Sequence, residues 1–154
     1  MAKKKRSAKK RSAKRPARRS SRKKGGAKKP AAGLDALARK IVRVTQNPNL
    51  AEAEILALYD ANCTSQEATG NVDRGHAGLQ EKNKRWAQMQ TGTTWTATHV
   101  WVGPKSICIE WDAVVHTRDG RTVSLREVAV HEIKGGKIQR ERFYYDPMDL
   151  APRT

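Results

Sequence analysis

The chain has 154 residues, 37% of them apolar, and carries 32 Lys and Arg against 15 Asp and Glu for a formal net charge of +17. That length suits one domain with an appendage. No apolar run reaches the roughly 18 residues of a helical membrane span. Met1 to Lys29 is charged where a secretion signal needs an apolar stretch, so a cytoplasmic or nucleoid-associated location is expected.

The charge is unevenly placed. Residues 1–30 hold 16 of the basic side chains and no acidic one, which leaves the rest of the chain at +1. Residues 1–33 also have almost no side chain larger than Ala that could be buried, so they cannot offset the entropy of ordering and are expected to form a disordered polybasic tail. Arg6-Ser7-Ala8-Lys9-Lys10 repeats as Arg11-Ser12-Ala13-Lys14-Arg15, spreading charge evenly along the chain. Such spacing suits a polyphosphate and reads no sequence. In composition the tail resembles the Lys/Ala/Ser/Pro-rich tails of linker-histone-like and nucleoid-associated proteins. The expected nucleic-acid contacts are Lys3, Lys4, Lys5, Arg6, Lys9, Lys10, Arg11, Lys14, Arg15, Arg18, Arg19, Arg22, Lys23, Lys24, Lys28 and Lys29, with another polyanion or no specific partner as alternatives.

Residues 34–152 read as a folded α+β domain. Leu34, Leu37, Ala38, Ile41 and Val42 recur at helical spacing up to Gln46. Asn47-Pro48-Asn49 breaks that helix, and Asn49 is placed to cap a second one running to about Asn62. A short strand, Cys63–Glu67, and a polar loop follow. A third helix over about 77–89 presents Leu79, Trp86 and Met89 on one side, with Lys82, Lys84 and Arg85 assigned mostly to others, and Thr91-Gly92-Thr93 is its expected stop. Strands are predicted over 94–102, 106–117 and from Arg121 onward. Lys134-Gly135-Gly136-Lys137 supplies a hairpin turn, and its two strands are taken as the central pair of an antiparallel sheet.

Leu58-Tyr59-Asp60, Gly75, Ile109-Glu110-Trp111, Gly120-Arg121, Gly136-Lys137-Ile138 and Tyr144-Tyr145-Asp146 occur in an order that resembles the SnoaL-like polyketide cyclase branch of the nuclear-transport-factor-2-like superfamily. The resemblance spans nearly all of the body. It implies a cone-shaped, cystatin-like α+β roll, in which a curved antiparallel sheet is closed by three N-terminal helices around a pocket. It also implies a homodimer through the outer sheet face. Function does not follow from it, because the superfamily holds cyclases, isomerases, hydrolases, dehydratases and members that only bind.

Aligning on Tyr59 and Gly75 puts the general base of the steroid isomerases at Glu67, which reads either as a pocket base or as a strand-end carboxylate in water. The isomerases' hydrogen-bond donors fall near Ile41 and Ala129, and the epoxide hydrolases' charged set at Trp111, Ala113 and Phe143. None of these side chains serves either chemistry. Strand alternation gives an aromatic pocket lining of Tyr59, Trp86, Trp101, Trp111, Phe143 and Tyr145, which either grips a small apolar ligand or fills the cone. His99 is the candidate acid–base partner of Glu67. Neither Cys63 nor Cys108 has a ligand spacing, and no histidine pair does, so no metal or other cofactor is expected. The leading expectation is a non-enzymatic domain whose tail binds nucleic acid. The alternative is a small-molecule isomerase, cyclase or hydratase with a pocket carboxylate.

Overall fold

The computed structural model describes residues 32–151; the basic residues proposed to touch nucleic acid lie outside that range. Helix α1 (Ala32–Thr45) and a single turn, α2 (Glu52–Leu56), lead into strands β1 (Tyr59–Gln66) and β2 (Val72–Arg74). Helix α3 (Gly75–Met89) follows. Then come β3 (Gln90–Val102), β4 (Ser106–Thr117), β5 (Thr122–Lys134) and β6 (Lys137–Tyr144), with a last turn, α4 (Pro147–Leu150). The six strands form one sheet in the order β2-β1-β6-β5-β4-β3.

The β5–β6 hairpin does occupy the centre of this sheet. Gly135 and Gly136 both have positive φ, 59° and 74°, as a two-residue turn of primed type requires. Its twist matches that of the long strands on either side. The sheet is mixed, however: β1 runs parallel to β6, and only the other neighbours are antiparallel. A parallel neighbour needs a long crossover, here supplied by β2, α3, β3, β4 and β5.

The helices differ from the expected three at the N-terminus. The second is one turn, because pairing of Tyr59 with Ile138 draws the chain into β1 where helical periodicity alone would continue. Asn49 does not cap it; Ala51 stands at that position without a side-chain bond. The third helix follows two strands, and Thr91-Gly92-Thr93 belongs to β3, which starts directly after the helix. A fourth short helix closes the chain, capped by Asp146 through the Met148 N–H.

The core lies on one face of the sheet. Ala38, Ile41 and Val44 of α1 pack over Ile107, Ile109, Trp111, Ala129 and Ile138, and Ala113, Val115 and Leu125 extend the layer toward Trp86, Trp95 and Tyr145. Strand β4 alternates cleanly, with odd positions 107–117 buried. α3 crosses the same face, so the buried side of the sheet and the helices enclose a hollow between them.

Candidate active site

The hollow is a cavity of about 550 Å³, within the usual range for small-molecule sites. Its walls include Tyr59, Trp86, Trp95, Trp111, Phe143 and Tyr145. Trp95 meets Trp111 edge-on at 5.9 Å and Trp86 at 6.3 Å, so the aromatic wall is a packed array with space in front of it. A wider groove between α1 and β3 contains none of the acidic cluster described next.

Three strands and one helix bring that cluster together. Cys63, Ser65 and Glu67 share one parity on β1 and its end. Glu67 faces the cavity, where its carboxylate pairs with Lys82 Nζ at 2.7 Å and accepts from the Tyr145 hydroxyl at 3.0 Å. Lys82 also donates to Ser65 Oγ at 2.9 Å, stands 3.5 Å from Glu141, and lies over the Phe143 ring at 3.7 Å. Glu141, only 1% exposed, accepts from Ser65 at 2.6 Å and from Tyr59 at 2.8 Å. His131 Nδ1 lies 3.4 Å from Glu141, near enough to act on its charge but not aligned for a hydrogen bond. Burial pushes the Glu141 carboxyl up, but His131, Lys82 and Ser65 together outweigh it and hold it down at about 2. Both phenols are pushed above their ordinary value, first by burial and then by the neighbouring carboxylate, Glu141 for Tyr59 and Glu67 for Tyr145.

Glu127 is different. It is 8% exposed, lines the cavity, and has no hydrogen-bond or ion-pair partner among the described residues. Burial, followed by the charge of Glu67, raises its carboxyl to about 8, against a smaller opposing pull from Lys82. One cavity therefore holds a carboxylate fixed by an ammonium and a carboxyl that keeps its proton at neutral pH.

Of the residues predicted from sequence, Glu67, Tyr59, Trp86, Trp111, Phe143 and Tyr145 do converge on the cavity. His99 and Trp101 do not. The β3–β4 register slips between Ala97 and His99, and this bulge turns the positions after it to the opposite face. His99 is bonded there to Glu110 at 2.9 Å and stacks on Trp101, which is 52% exposed. No His99–Glu67 pair exists.

Lys82, Glu127, His131 and Glu141 complete the cluster, and signals for them are present in the sequence. Lys82 falls in the helical stripe 79-82-86-89. Glu127 and His131 are two residues either side of the inward Ala129 on one strand, so period 2 places them inward as well. Glu141 shares the parity of Phe143 and Tyr145, which alternation already points inward, and is missed only by counting from Ile138, across the register shift between β5 and β6 near Ile133.

A family model described as a SnoaL-like domain matches residues 33–141. The chain belongs to the SnoaL-like domain family. Among solved structures, a nuclear-transport-factor-2-like protein of unknown function from Burkholderia pseudomallei is similar at a TM-score of 0.71 and 12% identity, covering 78% of this chain and 95% of its own. A Catenulispora acidiphila protein with a ketosteroid-isomerase-like fold, solved with trimethylamine, has a TM-score of 0.65 and 16% identity, covering 74% and 88%. A candidate SnoaL-like polyketide cyclase from Jannaschia reaches 0.69 at 10% identity, covering 81% and 99%. At these identities the likeness concerns the fold. No curated protein matches the chain.

Proposed function

We propose that the cavity transfers protons on a small, largely apolar carbonyl compound, which is the enzymatic of the two readings open from sequence. The observation that carries this is the protonated, unpartnered Glu127 beside the ion-paired Glu67. A carboxyl that burial keeps protonated, beside a carboxylate paired with an ammonium, can act with it as acid and base in one step. Glu67 takes a proton from the carbon next to the substrate carbonyl while Glu127 gives its own to the carbonyl oxygen, yielding an enol. Return of the two protons, with reprotonation at a different carbon, isomerises the substrate and restores both groups. Lys82 and Tyr145 hold Glu67 in place, and the aromatic wall excludes water.

The test is exchange of α-hydrogen for deuterium in a bicyclic aryl ketone such as 2-tetralone, followed by NMR in heavy water. Glu67→Gln and Glu127→Leu are each expected to slow exchange by about 100-fold or more. The native rate is expected to fall above about pH 8, as Glu127 loses its proton. Native exchange no faster than buffer, or variants as fast as native, would overturn the reading.

The charge split in the sequence favours a second role for the same chain. The polybasic arm of residues 1–33 binds a nucleic acid or similar polyanion by releasing counterions. In the same proposal the outer sheet face, where Trp101 is exposed, pairs two copies and so presents two arms.

A further inference from the structure

Strand β3 is an edge strand: the sheet order ends on it, and among the described residues only β4 pairs with it. Its last residues turn open backbone groups outward. The Gly103 N–H donates to the Ser106 carbonyl at 2.8 Å and so points toward β4. Paired and unpaired positions alternate along an antiparallel strand, so the N–H groups of Val102 and Val100 point away from β4. This open stretch is bounded on both sides. Gln46, just after α1, donates to the Trp95 carbonyl, and the strand ends at Val102. Val100 is 42% exposed, and an apolar edge left open is a template for another strand.

Beside this edge lies the groove between α1 and β3, about 750 Å³ in volume. Ala97, Val100 and Val102 line it from the strand, and Ala38 and Val42 from the helix. Arg39 and Arg43 also line it; both are exposed, and neither has an ion-pair partner among the described residues. Asp35, one turn before Arg39, is the one acidic side chain in the lining.

We infer that this edge accepts an extended acidic segment of another protein, which adds to β3 as a further strand of the sheet. Its backbone pairs with Val100 and Val102, its inward side chains enter the groove, and two carboxylates among them meet Arg39 and Arg43. The spacings agree. Four residues of helix rise about 6 Å and two of strand about 6.7 Å, so acids at alternate positions match arginines one helical turn apart. Charge selects this occupant over the others at hand. Residues 1–30 carry 16 basic side chains and no acidic one, so the two arginines repel them, and a second copy of β3 would bring its own Arg39 and Arg43 to the same place. The groove contains none of the acidic cluster, so the inference holds whether or not the cavity is catalytic.

The probe is the peptide VTDTETV, acetylated and amidated, whose two acids fall on one face of a strand. VTDETTV has the same composition and charge but only one acid on that face. Amide NMR shifts of Val100 and Val102 in the isotopically labelled full chain read binding at the edge, and charge alone does not tell the two peptides apart. Both amides are expected to move on titration with VTDTETV, at an affinity about fivefold above that of VTDETTV, the upper range for one exposed ion pair. Arg39→Ala together with Arg43→Ala, both at exposed positions, is expected to bring that ratio close to one. Equal affinities in the native chain overturn the inference, as do a preference that survives the double substitution and amides that do not move. Reversal of the Val100 and Val102 shifts by oligothymidylate would assign the two arginines to nucleic acid and overturns it as well.

Discussion

When the unpartnered Glu127 carboxyl ionises, it does so without a hydrogen bond to receive the charge, and this fixes the sign of its effect on stability. Its folded value is about 8 against an ordinary 4.5. Between those pH values the folded chain holds a proton that the unfolded chain has released, so stability falls as pH rises from about 4.5 to 8 and levels off beyond. At about 1.4 kcal/mol per unit, the loss amounts to a few kcal/mol. Glu127→Gln is expected to lack this decline. Urea midpoints at pH 5 and pH 9 should then drop for the native chain relative to the variant; parallel profiles would contradict the assignment. Glu141 runs the other way. Held at about 2, it contributes stability that is complete above its unfolded value near 4.5 and disappears as pH falls toward 2. Glu141→Ala leaves Ser65 and Tyr59 without their acceptor and is expected to cost about 3–5 kcal/mol at pH 7, measured by denaturant unfolding.

At the scale of elements, what is legible in the sequence depends on whether a strand keeps its period. The hairpin is legible because Gly135-Gly136 is flanked by long runs of strand formers, and its turn geometry follows from those two residues. Substituting Gly136, at φ 74°, with Ala places a Cβ in the left-handed region. It should cost about 1 kcal/mol, readable as a lower midpoint in urea with an unchanged slope. Strand β4 is legible to the residue, since its alternation is uninterrupted. The sheet's register shifts are not. The bulge at Ala97–His99 moved His99 and Trp101 to the outer face, and the shift near Ile133 puts Ile138 out of phase with Glu141, Phe143 and Tyr145, because a bulge depends on the partner strand and leaves no composition signal in the strand that bears it. The parallel docking of β1 on β6 is equally invisible locally. Inward charges are a third case. Lys82, Glu127 and His131 sit at positions whose periodicity points into the core, and only the tendency to assign charge to solvent hides them. Such conflicts between local rule and global fold are where functional residues concentrate.

Taken as a whole molecule, the chain divides its electrostatics between two places that act at different range. Within the body the charges nearly cancel, and the chemistry proposed for it lies in a cavity where a few ångströms of separation decide protonation. No helix among the described residues is long and apolar enough to cross a membrane. On the proposed reading the arm's 16 basic residues act by counterion release, so the two proposed functions should differ in their response to salt. If about half of those charges engage duplex DNA, log affinity should fall with log salt at a slope near −7. Between 50 and 200 mM salt this is a loss on the order of 10⁴-fold. Proton exchange in the cavity, being buried and screened much less, should change little over the same range. Replacing the 16 arm residues with Gln and Ser in the full chain is expected to abolish DNA retardation while leaving the rate of α-hydrogen exchange as it was. A steep salt dependence that survives this replacement would assign the polyanion contact to the body instead, with the exposed Arg39, Lys40 and Arg43 of α1 the first residues to exchange next.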